Sequence, residues 1–120
     1  MKTPKPIRVK HSPLFEEQLK KLRESVQEKD NKIHKQLLKA IEREEDNLRT
    51  DMHHGIQIEK SKIPKEYIHQ YGITNLWKID LPGYWRMTYT IVGNEFEIIS
   101  VLLEFMDHKE YDKKFGYRKR

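Results

Sequence analysis

Cysteine is absent from this 120-residue chain. That excludes disulfides and thiolate chemistry and fits a reducing cytosol. Long apolar runs are missing too: no stretch approaches the ~20 residues needed to span a bilayer. The opening Met-Lys-Thr-Pro-Lys-Pro lacks the apolar segment of a secretory signal. The expectation is a soluble, cytoplasmic protein. There are no repeats, no low-complexity tract and no linker, so residues 1–120 read as a single domain with one core. Hydrophobic and charged residues each make up 36% of the chain, which makes that core thin and the surface heavily ionic.

The net charge of +5 is unevenly placed. Residues 1–10 and 108–120 each carry a net +4, which leaves the stretch between them at −3. Two basic ends on an acidic middle make a polyanion-facing surface if the fold brings the ends together. Otherwise they are solvated tails.

Periodicity divides the chain into helical and extended parts. Ile7 to Lys10 is a short strand candidate, and Ser12-Pro13 is a helix start, with serine as N-cap and proline in the first turn. Phe15, Leu19, Leu22 and Val26 then form one helical stripe. A second helix after Asp30 or Asn31 turns Ile33, Leu37, Ala40, Ile41 and Leu48 inward and Lys35, Lys39, Glu42 and Arg43 outward. Residues 50–71 are irregular, with an Ile56/Ile58 alternation that can add a short strand and Pro64 opening about one helical turn.

From Leu76 the period becomes two. Trp77, Ile79 and Leu81 alternate with Lys78 and Asp80; beyond Pro82-Gly83, the series Trp85, Met87, Tyr89 and Ile91 alternates with Arg86, Thr88 and Thr90. A third strand, Phe96 to Leu103, is apolar on nearly every residue, as a strand covered on both faces would be. The sum is an α+β domain: a small antiparallel sheet with an N-terminal helical hairpin packed on one face. If both tryptophan series face one core, Lys78 and Arg86 share the other face. A two-residue turn would put Arg86 among the apolar residues, so the pattern predicts a three-residue loop or a bulge.

The segments Asn75-Leu-Trp-Lys-Ile-Asp-Leu-Pro-Gly-Tyr-Trp-Arg-Met-Thr-Tyr-Thr90 and His108-Lys-Glu-Tyr-Asp-Lys-Lys-Phe-Gly-Tyr-Arg-Lys-Arg120 resemble the RelE/ParE toxin superfamily. In that family one strand carries Leu-Trp/Tyr-Lys/Arg, the next carries Trp/Tyr-Arg, and a His-x-x-Tyr or similar tail closes the site. The resemblance spans roughly residues 7–117, with specific motifs only from Leu76 onward. It implies a RelE-like fold and the toxin of a type II toxin-antitoxin pair, cutting mRNA on the ribosome by attack of the ribose 2′-OH on the adjacent phosphate. Such an endoribonuclease needs no metal and no cofactor. Two alternatives stand beside it: a ParE-like inhibitor of DNA gyrase without catalysis, and a relative that only binds a partner.

The resemblance assigns roles residue by residue. Lys78 and Arg86 stabilise charge on the phosphorane, His108 is general acid or base at a pKa of ~6.5, and Tyr111 orients the phosphate or assists proton transfer. Lys109, Lys113, Lys114 and Arg118 are RNA-binding cations, and His54 is an auxiliary site residue. Asp80 stands where the family commonly places a second cation. Read without the resemblance, Arg86 needs a partner such as Asp80 or Glu104, Lys78 is a solvent-facing lysine, and His108 and Tyr111 share a helical face three residues apart. The tryptophans read as core, and base stacking is open only to an aromatic left exposed. His53-His54 has no cysteine or His-Glu-x-x-His partner set, so no metal site is expected. The expected partner, besides mRNA and the ribosome, is an acidic, extended antitoxin that folds on binding.

Overall fold

A computed structural model describes residues 5–29 and 31–116. Its elements run β1 (Ile7–His11), α1 (Pro13–Lys29), α2 (Lys32–Thr50), β2 (Ile56–Gln57), a 3₁₀ turn (Lys60–Lys62), α3 (Lys65–Tyr71), β3 (Trp77–Leu81), β4 (Trp85–Gly93), β5 (Ile98–Asp107) and α4 (His108–Phe115). None of the helices is long and apolar enough to cross a membrane.

Side-chain caps fix the two long helices where the sequence signals them. Ser12 Oγ accepts from the Phe15 amide at 3.1 Å and donates to the Leu103 carbonyl at 2.6 Å, so one hydroxyl starts α1 and ties it to β5. Asn31 caps α2 by accepting from the amides of Ile33 and His34. Phe15, Leu19, Leu22, Leu37, Ala40, Ile41 and Leu48 are buried, and Val26 is half-buried. Ile33 departs from the expected stripe, being 63% exposed. It sits in the first turn of α2, outside the part of the helix that packs on the sheet.

The five strands form one sheet in the order β1-β5-β4-β3-β2. The expected antiparallel sheet is in fact mixed, because β1 lies parallel to β5 while the other pairs are antiparallel. The helical hairpin carries the chain away from β1, and the strands that follow return it to the same edge in the same direction. Past the end of β1, the Gln18 amide caps β5 by bonding both the amide and the carbonyl of Phe105, at 2.9 and 2.8 Å. An exposed strand edge is thereby closed.

Helices cover both faces, not one. The α1–α2 face buries Phe15, Leu37, Ile41, Ile79, Met87, Tyr89, Leu102 and Phe105. The opposite face has a second cluster, built on Ile58, Ile63, Tyr67, Ile73, Leu76 and Leu103. Pro64 opens the two-turn helix α3 behind that cluster, longer than the single turn expected, and Gly72 ends it at φ 63. A register shift at Thr88/Tyr89 leaves Leu103 as the extra residue of β5, so Leu103 packs on the α3 side next to Glu104. The third strand starts later than its apolar run, because the Asn94 side chain holds Phe96 and Glu97 in a turn, and it continues four residues past Leu103.

Candidate functional site

The loop between β3 and β4 has three residues, Pro82, Gly83 and Tyr84, and pairs Leu81 with Trp85. It follows that Asp80 pairs with Arg86 and Lys78 with Thr88, which places Lys78 and Arg86 on one face as the alternation required. Their side chains converge on a single oxygen. Asp80 Oδ1 accepts from Lys78 Nζ at 3.0 Å and lies 3.2 Å from Arg86 Nε.

Arg86 has two further neighbours. Its guanidinium carbon lies 4.5 Å from the centre of the Tyr111 ring, and Nη1 is 3.7 Å from Asp112 Oδ1. Both come from α4, whose first turn is capped by Asp107. Tyr111 is buried and stacked on Phe115 at 4.2 Å. Its ring supports the guanidinium from beneath, a cation–π contact, and is not open to solvent.

His108 opens α4 just beyond the β4–β5 pairing of Arg86 with Met106 and Trp85 with Asp107. It is half-buried, and its ring centre lies 5.5 Å from that of Tyr84. Tyr84 is 78% exposed at the tip of the loop. The β3–β4 loop and the start of α4 thus bring a phenol, an imidazole and the Arg86 strand together.

The remaining expected residues scatter. Lys109 and Lys113 are exposed on α4. Lys114 is bound to Glu104, with Nζ 2.9 and 3.1 Å from its two carboxylate oxygens. Arg118 lies outside the described residues. His54 sits beyond the end of α2, where Nε2 is 3.0 Å from Glu44 Oε1, and no described contact joins it to the Arg86 cluster. The described parts of the two basic ends stay apart: Lys5 and Arg8 flank the start of β5 and Lys109 follows its end, a separation on the order of 30 Å. Among the described residues there is no group of three or more histidine, aspartate or glutamate side chains placed to hold a metal.

Glu104 was legible in the sequence only as a possible Arg86 partner, and the structure gives it another role. It is 3% exposed, takes a short hydrogen bond from the Tyr67 hydroxyl and pairs with Lys114. The Tyr67 hydroxyl also lies 3.2 Å from Thr88 Oγ1. Burial, then the Glu104 charge, push the Tyr67 phenol far above its usual range. The same causes raise Tyr71 to about 12. No family model, curated protein or solved structure matches the chain.

Proposed function

We propose that this chain is a RelE/ParE-like toxin whose α+β sheet has the RelE arrangement, and that it cleaves mRNA on the ribosome without a metal. One observation carries the reading: Lys78 and Arg86 aim at a single oxygen. A carboxylate oxygen held by two cations stands where a phosphate oxygen would be held in the transition state, and fixed cations at such a point are worth several kcal/mol. Asp80 is 56% exposed, and an ion pair that exposed contributes only ~0–1 kcal/mol, so a phosphate can displace it at small cost. The fork of Arg86 then grips the phosphate, Tyr111 holds the fork in place, and His108 transfers the proton. Lys109 and Lys113 add attraction for the RNA backbone. Neutralisation falls to an acidic, extended antitoxin.

The competing reading is a partner-binding relative without catalysis. Its support is that Asp80 and Asp112 already flank Arg86, which is what a structural cation needs. The two readings part in a translation extract to which purified protein is added and mRNA 5′ ends are mapped, with a gyrase supercoiling assay beside it. Codon-phased cuts are expected, and supercoiling lost with mRNA intact would instead identify a gyrase inhibitor. Arg86→Ala should keep the fold and lower cleavage ~100-fold or more, with Arg86→Lys recovering only part. His108→Ala should lower the rate comparably and alter its pH profile. If Arg86→Ala unfolds the chain while His108→Ala leaves cleavage unchanged, Arg86 is a structural ion-pair member and the catalytic site lies elsewhere; mRNA left uncut and supercoiling intact would support the partner-binding reading.

A further inference from the structure

Tyr84 combines two properties that packing does not explain. It is the one non-glycine residue at positive φ among the described residues, at 62°. A left-handed backbone costs a residue with a Cβ about 1–2 kcal/mol relative to the right-handed form, and glycine escapes that cost. A three-residue hairpin loop calls for this conformation at its last position, where glycine is the usual choice, yet a tyrosine stands here with its ring 78% exposed. Its one described ring contact is His108, at 5.5 Å and tilted by 58°. Gly83 before it is also at positive φ, 77°.

The surroundings select the ligand. Two residues on, Arg86 converges with Lys78 on one oxygen position, and Lys109 is exposed next to His108. An exposed flat ring with cations nearby in the fold is the kind of arrangement on which single-stranded nucleic acid binds, bases on the rings and phosphates on the cations. Phe96, 76% exposed on the other long β-turn, provides the contrast. It stands between Glu95 and Glu97 and carries no backbone strain.

We propose that Tyr84 is a substrate-positioning residue that stacks on a base of single-stranded RNA next to His108. This deepens the ribonuclease reading and rests on it for the choice of RNA. The base stacked on Tyr84 would fix the register of the strand, so that the phosphate beside it falls to Lys78 and Arg86. Ring area, not the hydroxyl, does the work.

The test measures binding of a fluorescein-labelled hexaribonucleotide, 2′-O-methylated so that it cannot be cut, together with the melting temperature. Tyr84→Gly should weaken binding about tenfold, the scale for one lost base–aromatic stack, while its melting temperature holds or rises because the backbone strain is gone. Tyr84→Phe should bind within about twofold of the parent, and Phe96→Ala should match the parent. The proposal is overturned if the parent does not bind the oligonucleotide, if Tyr84→Gly binds it unchanged, as a tyrosine reserved for a protein partner would, or if Tyr84→Gly melts well below the parent. The two readings fail separately. Tyr84-dependent binding by a protein that leaves mRNA uncut would end the ribonuclease reading and keep this one, and mRNA cleavage indifferent to Tyr84→Gly would do the reverse.

Discussion

The two faces of the sheet are built by different physics. On the α1–α2 face, Phe15, Leu19, Leu37, Ile41, Met87 and Leu102 pack with almost no exposed surface, and Phe15 meets Phe105 edge to face at 5.6 Å. On the α3–α4 face, the sheet presents Lys78, Asp80, Arg86, Thr88 and Glu104, and the helices answer with Tyr67, Tyr111, Asp112 and Lys114. One face is held by area removed from water, the other by a smaller apolar cluster together with partnered charges. A non-directional force tolerates change in shape, while a partnered charge fails when its partner is removed. The second face is where two cations converge on one exposed oxygen, Lys78 and Arg86 on Asp80.

The largest expected effect breaks the first face. Phe15→Ala should cost about 3–5 kcal/mol, the range for a fully buried aromatic whose cavity cannot collapse, and a chain with so thin a core has little margin. Urea unfolding reads it directly. A loss under ~1 kcal/mol would mean that the hairpin is not docked on the sheet as described.

The second prediction concerns the polar face. Glu104→Ala leaves Tyr67 and Lys114 without their shared acceptor and should cost about 2–3 kcal/mol, less than a fully buried pair because Lys114 reaches solvent. Adding Tyr67→Phe to that variant should cost little more, giving a coupling of at least ~1 kcal/mol in a double-mutant cycle. Additive losses would show that these residues only fill space.

The dry face was the legible one. Period-3.6 and period-2 patterns located α1, α2, β3 and β4, because burial on one side of an element leaves its mark on residue spacing. The same alternation implies a shared face for Lys78 and Arg86 and, with it, a three-residue loop or a bulge, of which the chain forms the loop. The polar face left no such mark. Glu104 interrupts an apolar strand and reads as its end, yet β5 runs on to Asp107, because Tyr67, 37 residues earlier in the chain, supplies the hydrogen bond that lets a carboxylate be buried. Parallel pairing of β1 with β5 is likewise set by distant chain ends, which no local pattern records. Tyr84 follows Pro82-Gly83 and breaks the alternation, so no periodicity singles it out; its positive φ and its exposure are properties of the folded loop alone.

The smallest effect tests where polarity enters the dry face. Tyr89 is buried there, and its hydroxyl reaches the margin, donating to the Met52 carbonyl at 2.8 Å and accepting from the Gly55 amide at 3.0 Å. Burial, with the Asp51 charge adding to it, raises this phenol to about 12 from its ordinary 10.0, against the opposing bond from Gly55. Between pH 10 and 12 the unfolded chain releases a proton that the folded one keeps, so rising pH favours unfolding. The stabilisation is whole below pH 10 and is lost as pH climbs through the folded value. Tyr67 and Tyr71 are raised too and act in the same direction, so the parent should lose stability steeply above pH 10. Tyr89→Phe should be weaker than the parent at pH 7 by about 1–2 kcal/mol, since the Gly55 amide loses its acceptor. Its deficit should then shrink above pH 10, because up to one proton's worth of slope, ~1.4 kcal/mol per pH unit, has been removed. Urea midpoints of both proteins from pH 7 to 11.5 decide the matter: a deficit that stays constant across the range would place the Tyr89 hydroxyl in water and make the hairpin face wetter than its packing implies.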